Sequence, residues 1–307
     1  MSLAHLFARR RLLLVTGKGG VGKTTVAVAA ARALADRGRR VLALEVDPRE
    51  NAHQMLGVPP SGGEVTAVDE RLFLQNLQPR AVLDRVVREQ LLVGPVVRRV
   101  LRSPVYHHFA EGAPGLRELA VLGHALRLLR GIDVPPALAA GGPPDTIVLD
   151  APASGHGVAL LAAPRLVADV ISEGPFGELA GELALLVGDP EQCGVAVVTT
   201  ADEMPVQEAL ELLAALAQGN GRRADAVVVN QLYPPWPAGE PEPGDELGLL
   251  WRERRRGNER ELARLERAWE GPTLELPLLS LARGPGLIAA LAARIAASPT
   301  ARERTWT

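Results

Sequence analysis

Lysine is nearly absent from this chain: of 34 Lys and Arg residues, only Lys18 and Lys23 are lysine. Cysteine is rarer still. Cys193 stands alone, which excludes an intramolecular disulfide framework and suits a reducing, cytoplasmic compartment. With one thiol, neither a Cys-x-x-Cys zinc site nor a cysteine cluster can be built, so zinc is not expected. Aromatic residues make up 3% of the chain and leave the core to Ala and Leu. The net charge of −2 carries none of the basic excess that a nucleic-acid partner calls for. No apolar run reaches the ~18 residues of a membrane-spanning helix. Arg9, Arg10 and Arg11 ahead of residues 12–15 imitate a secretion signal, but that apolar run is short and leads directly into a glycine-rich loop.

A chain of 307 residues can bury a large core, and it reads as one extended domain, 1–307. Strand-like runs at 12–16, 41–46, 72–77, 146–149, 194–199, 226–229 and 273–276 alternate with helical patterns. That alternation predicts an α/β fold with a doubly wound, mostly parallel sheet. Ligands in such sheets sit beyond the carboxyl ends of the strands.

Both lysines lie where the first run ends, in Gly17-Lys18-Gly19-Gly20-Val21-Gly22-Lys23-Thr24-Thr25. The segment fits G-x-x-x-x-G-K-[ST] between a strand and a helix, so its backbone N–H groups can close on phosphate oxygens. Lys23 would reach the outer phosphates and the Thr24 hydroxyl would ligate Mg²⁺. Arginine is a planar fork, whereas lysine is a compact point charge on a flexible stem. A composition that replaces lysine by arginine elsewhere keeps an ammonium at these two places, which points to nucleotide phosphates. Two further strand ends carry acids. Asp47 follows the second run, where a carboxylate can orient water or hold the metal shell, and Asp150 closes the fourth, as a Walker-B acid does.

The sequence Lys18-Gly-Gly-Val-Gly-Lys23-Thr24-Thr25 resembles the deviant Walker-A loop of the dimeric ATPases that include the arsenite-pump ATPase ArsA, the tail-anchored-protein targeting ATPases, MinD, ParA and the nitrogenase iron protein. The resemblance implies an ATP- and Mg²⁺-dependent hydrolase that works as a dimer, with Lys18 reaching the partner's nucleotide. Asp47, Pro48 and Asn51 match the first switch of the ArsA and targeting branch, Asp-Pro-Ala-His-Asn, with Arg49-Glu50 in place of Ala-His. By that resemblance Asp47 positions the attacking water and joins the metal shell with Thr24 and Asp150. Asp150, Gly155 and His156 match the second switch, Asp-Thr-Ala-Pro-Thr-Gly-His, with Ser154 for Thr and the proline displaced by one. Asn230-Gln231 resembles the family's Val-Asn-Gln, whose asparagine reads adenine, and Pro277 falls in its adenine loop.

Between the switches, 79–131 is helical and strand-poor, and 160–187 is a second helical insertion. Together they are expected to form a helical subdomain. In the targeting ATPases the equivalent regions form a groove for an apolar client helix; here they either do that or cover the sheet. Residues 234–246, rich in Pro, Gly and acid, read as an exposed loop. With one P-loop the fused double form is not expected, and the cysteine count argues against arsenite transport. The partner is expected to be a second copy or a paralogue, with an apolar membrane-protein helix as client. Two alternatives stand beside the ATPase reading: a scaffold whose output is helix binding, and a MinD-like positioning ATPase. The latter wants a terminal amphipathic helix, which the uniformly apolar 286–297 does not supply.

Overall fold

The computed structural model describes residues 3–47, 49–90, 94–104, 106–107, 112, 115–132, 134–152, 156–170, 173–220, 222–236 and 245–297. Eight strands form one sheet: β1 (Leu12–Gly17), β2 (Val41–Glu45), β3 (Thr66–Ala67), β4 (Leu72–Asn76), β5 (Thr146–Asp150), β6 (Cys193–Thr200), β7 (Ala226–Leu232) and β8 (Thr273–Pro277). Their order is β3-β4-β2-β5-β1-β6-β7-β8. Every pairing is parallel except that of β3 with β4. The seven strands expected from the apolar runs are all present. The two-residue β3, half polar and at the sheet edge, is too short to leave a periodic signal. A short antiparallel strand there shields the flank of β4.

The strands are mostly apolar because both faces of the sheet are covered. Odd and even positions part cleanly. Leu12, Leu14, Leu42, Leu44, Ile147 and Leu149 face one core. Leu13, Val15, Val41, Ala43 and Val148 face the other. The helix Lys23–Ala35 that leaves the loop, Ala52–Leu56 and the last helix, Pro285–Ala297, cover the second face. Alanines at 27, 29, 30, 31, 33 and 35 let that first helix sit close on the sheet with scarcely any aromatic filler.

The first face is covered by Pro79–Gln90, Leu116–Leu129, His156–Val170, Gly174–Gly188, Glu203–Asn220 and Glu246–Ala268. The described parts of 79–131 and 160–187 are mostly helical. Gly174-Pro175-Phe176-Gly177, expected to interrupt the second insertion, forms the first turn of the helix Gly174–Gly188. Their inner residues, among them Leu119, Leu122, Leu160, Leu183 and Leu186, are buried against the sheet. Leu166, Val170 and Leu185 are exposed at 63%, 83% and 76%, so the same helices also present apolar surface outward. Of the loop expected at 234–246, residues 237–244 lie outside the described residues; its start is anchored, with Trp251 Nε1 donating to the Pro234 carbonyl at 2.8 Å. Among the described residues no helix is long and apolar enough to cross a membrane.

Candidate nucleotide site

The parallel order brings the ends of β1, β2 and β5 together, and with them the loop and both acids. Val15 of β1 is paired with Asp150 of β5, and Glu45 of β2 with Asp150 on its other side. Gly17 ends β1 where a Cβ would strike the Val198 carbonyl oxygen of β6. Gly20 and Gly22 hold φ of 83° and 86°, a left-handed backbone that glycine adopts without strain. Gly22 caps the helix Lys23–Ala35 without any side-chain bond, so the first helical N–H groups open into the loop. Those donors and the helix dipole make an anion-binding cradle.

Lys23 is 9% exposed, and its Nζ donates to the Lys18 carbonyl at 2.9 Å, folding the ammonium over the loop. Burial lowers the Lys23 ammonium from its usual value, against the pull of Asp150 and Asp47. The Thr24 hydroxyl donates to Asp150 Oδ2 at 2.6 Å. Burial pushes the Asp150 carboxyl up to about 7; Thr24 and Lys23 oppose the shift, while Glu45 and Asp47 add to it. The other oxygen, Asp150 Oδ1, is buried and has no hydrogen-bond partner.

A buried carboxylate oxygen left unpaired beside a threonine hydroxyl is a donor set that suits a hard divalent cation. Among the described residues no group of three or more His, Cys, Asp or Glu converges on one point. A cation here would thus complete its shell with phosphate oxygens and water, the habit of Mg²⁺ rather than of a caged metal. On these grounds Thr24 and Asp150 fit Mg²⁺.

Asp47 is half-buried just past β2, with Oδ1 accepting the Arg49 N–H at 2.8 Å. It lies within electrostatic reach of both Lys23 and Asp150. Asn51 stands at the start of Ala52–Leu56 and donates its Nδ2–H to the Arg49 carbonyl at 2.8 Å. Pro48 and Gly155 lie outside the described residues. His156 opens the helix His156–Val170. The next residue, Gly157, packs so tightly on β1 that a Cβ would strike the Thr16 hydroxyl, which ties the start of that helix to the stem of the loop.

Lys18 turns to the helix Glu203–Asn220, where its Nζ stands 3.8 Å from Glu208 Oε1, both side chains being 34% exposed. Asn230, 4% exposed on β7, donates its Nδ2–H to the Val21 carbonyl at 3.0 Å. That amide occupies the space a Cβ on Gly22 would need. Gln231 follows at φ 60°, where β7 and β8 slip register. Pro277 ends β8, and the next N–H, from Leu278, donates to Leu232 at 2.7 Å. Glu45, Glu208 and Gly157 gave no motif. Glu45 did leave one signal, a lone charge closing an otherwise apolar strand.

A mostly parallel sheet with a glycine-and-lysine loop at the carboxyl end of its central strand defines a P-loop NTPase. Within that class the chain belongs to the anion-transporting ATPase family, which matches residues 10–175, more than half of the 307. It is 33% identical over 241 residues to the ATPase BagA of Mycobacterium tuberculosis, covering 73% of this chain and 66% of that protein. To an arsenical pump-driving ATPase of Escherichia coli it is 30% identical over 209 residues, 66% of this chain and 34% of the pump ATPase. The carbon monoxide dehydrogenase accessory protein CooC of Rhodospirillum rubrum is 53% identical over 47 residues, 15% of this chain and 18% of that one. The chain thus spans just under two thirds of the mycobacterial relative and about a third of the pump ATPase.

Proposed function

We propose that the chain is a cytoplasmic, Mg²⁺-dependent ATPase that acts as a nucleotide-switched dimer. The observation that carries this reading is the contact of Thr24 with Asp150 beside Lys23, with the second Asp150 oxygen buried and unpaired. Gly17, Gly19, Gly20, Val21, Gly22 and Thr25 shape the cradle, and its N–H groups hold the phosphates. Lys23 neutralises charge as the terminal phosphate departs, and an ammonium that leaves only a backbone carbonyl to do so needs little reorganisation. Thr24 and Asp150 would hold Mg²⁺, which would supply positive charge against that of the outer phosphates. Asp47 orients the attacking water. Loss of that phosphate releases the segments around Asn51 and His156, which is how hydrolysis becomes movement. Asn230 and Pro277 face the base. The direct test is Asp47→Asn: turnover should fall at least a hundredfold, and wild-type turnover would remove Asp47 from the reaction.

In the dimer, Lys18 exchanges Glu208 for the partner's phosphates. Solution mass by light scattering, with ADP and then with Mg²⁺ and a non-hydrolysable ATP analogue, tests this. Mass should double with the analogue for the wild type and not for Lys18→Arg. A monomer throughout would mean that the loop lysine works in cis or that the partner is a paralogous chain.

A second reading has a specific observation in its favour. Leu166, Val170 and Leu185 of the second insertion are each largely exposed, as residues that take an apolar client helix would be. On that reading ATP is a timer and capture is the output. Capture of a hydrophobic peptide that is indifferent to nucleotide would count against it. The MinD-like alternative is weaker, because Ile288, Leu291, Ala292 and Ile295 of the last helix are buried in the core.

A further inference from the structure

One carboxylate at the strand ends plays no part in the phosphate contacts just described. Glu45 closes β2 and is 2% exposed. Both of its oxygens accept the Asn51 N–H, at 2.9 and 3.1 Å, and Oε2 also takes the Ala52 N–H at 3.3 Å. Its register partner on β4 is Asn76, likewise 2% exposed. The Asn76 amide donates to Glu45 Oε2 at 3.4 Å and to the Asp47 carbonyl at 2.9 Å. Asn76 is itself held, its N–H donating to Ser61 Oγ at 2.8 Å. From the far side, the Glu50 carboxylate takes the Ser61 and Gly62 N–H groups at 2.7 and 3.0 Å. Residues 46–47 and 49–51 therefore stand as the two feet of an arch, one bound to a buried amide and the other to a buried carboxylate.

The arch carries Asp47, whose backbone carbonyl is thereby fastened to the sheet. Burying a carboxylate is costly, and a neutral residue could close a strand more cheaply. What the charge supplies is a rigid acceptor for two N–H groups at the foot of the arch, with bonds to an ionised group stronger than neutral ones. We propose that Glu45 and Asn76 are positioning residues for hydrolysis: their clamp sets where the Asp47 carboxylate stands relative to Lys23 and Asp150. The proposal rests on the water-orienting role given to Asp47 above and adds two residues outside every motif.

Glu45→Gln keeps the volume but turns an amide NH₂ toward N–H donors; Asn76→Ala removes the strut to the Asp47 carbonyl. Misplacement of a catalytic group by about 1 Å can cost a hundredfold. In steady-state ATP hydrolysis by the full chain, each variant should lose about ten- to a hundredfold in kcat. KM for ATP should stay within about twofold and the melting temperature of the nucleotide-free protein within a few degrees, since the loop is untouched. In an Asp47→Asn background neither change should lower single-turnover hydrolysis further, because the group they position is gone. Should Glu45→Gln fail to fold, Asn76→Ala carries the same test. An unchanged kcat with Asp47→Asn inactive would overturn the clamp while leaving the function intact. Losses that add to that of Asp47→Asn, or that track a fall in melting temperature, would overturn it as well. Wild-type turnover by Asp47→Asn instead removes the functional reading beneath it.

Discussion

The two ends of one sheet use charge in opposite ways. At the amino end the basic residues are arginines, and they are committed to the fold. Arg39 donates to the carbonyls of Ala8, Arg10 and Asp145 and to Thr146 Oγ1 at 2.6 Å. Arg40 reaches the Leu138 and Gly142 carbonyls at 3.1 and 3.2 Å and lies over the Phe73 ring at 4.9 Å. Arg222 pairs with Asp225 at 2.7 Å beneath β6 and β7. At the carboxyl end stand both lysines and the acids Asp47 and Asp150, whose Oδ1 is buried without a hydrogen-bond partner, as are the Nε atoms of Arg39, Arg40 and Arg222 at the amino end. A fork that grips several carbonyls at once suits a staple, and a point charge on a flexible stem suits a ligand that comes and goes. On the proposed function, the rarity of lysine marks where the chain is built to let go.

Exchanging the two residue types across the sheet is the hardest test of that contrast. Lys23→Arg keeps the charge but puts a bulky fork where one nitrogen now sits 2.9 Å from the Lys18 carbonyl. Turnover in a phosphate-release assay should fall by about a hundred- to a thousandfold, the scale of removing a transition-state donor. The melting temperature should barely move. Normal turnover by Lys23→Arg would end the argument from lysine scarcity.

The next effect is a pH dependence confined to the carboxyl end. The Asp150 carboxyl, pushed up to about 7 by burial, is held above its ordinary value in the fold. Its contribution to stability is complete below that ordinary value and is lost as pH rises through about 7. The nucleotide-free wild type should therefore lose stability relative to Asp150→Asn between pH 5 and pH 7, by at most about 1.4 kcal/mol per pH unit. Saturating Mg²⁺ and ATP should cancel the trend, because they favour the ionised form. Thermal melts of the two proteins across that range check it, and parallel curves would show that the free oxygen carries no such penalty.

On the amino side, Arg39→Lys should behave as the mirror image of Lys23→Arg. An ammonium cannot reach the four acceptors that the guanidinium spans. The urea midpoint should drop by an amount equivalent to roughly 1–3 kcal/mol, with turnover within about twofold of wild type. A loss of turnover without a loss of stability would break the division between the two ends.

The sheet, its strands and the loop were legible because each rests on local pattern: apolar runs, a glycine spacing, an acid at a strand end. The partners of those acids were not. Glu45 and Asn76 meet only because β2 and β4 pair in register, and Glu208 meets Lys18 only across a helix far along the chain. Gly157 looked like one more glycine, and only the packing of its helix against Thr16 shows why a side chain is excluded. Tertiary register, which no local pattern records, decided each of these.

The smallest effect concerns Asn230, where family resemblance and local geometry assign different tasks to one amide. An amide carries two N–H donors, and one is committed to the Val21 carbonyl at 3.0 Å. The second can serve the base, so the residue would brace the loop and read the ring together. Asn230→Ala should raise KM for ATP by about five- to tenfold, one hydrogen bond's worth. It should raise KM for GTP less, so that discrimination between the two nucleotides narrows. Equal rises for both, with a lower melting temperature, would make Asn230 a strut alone. Base selectivity would then have to come from elsewhere at the end of β7 or β8, and Gln231, held at φ 60° beside the same loop, is the next residue to change.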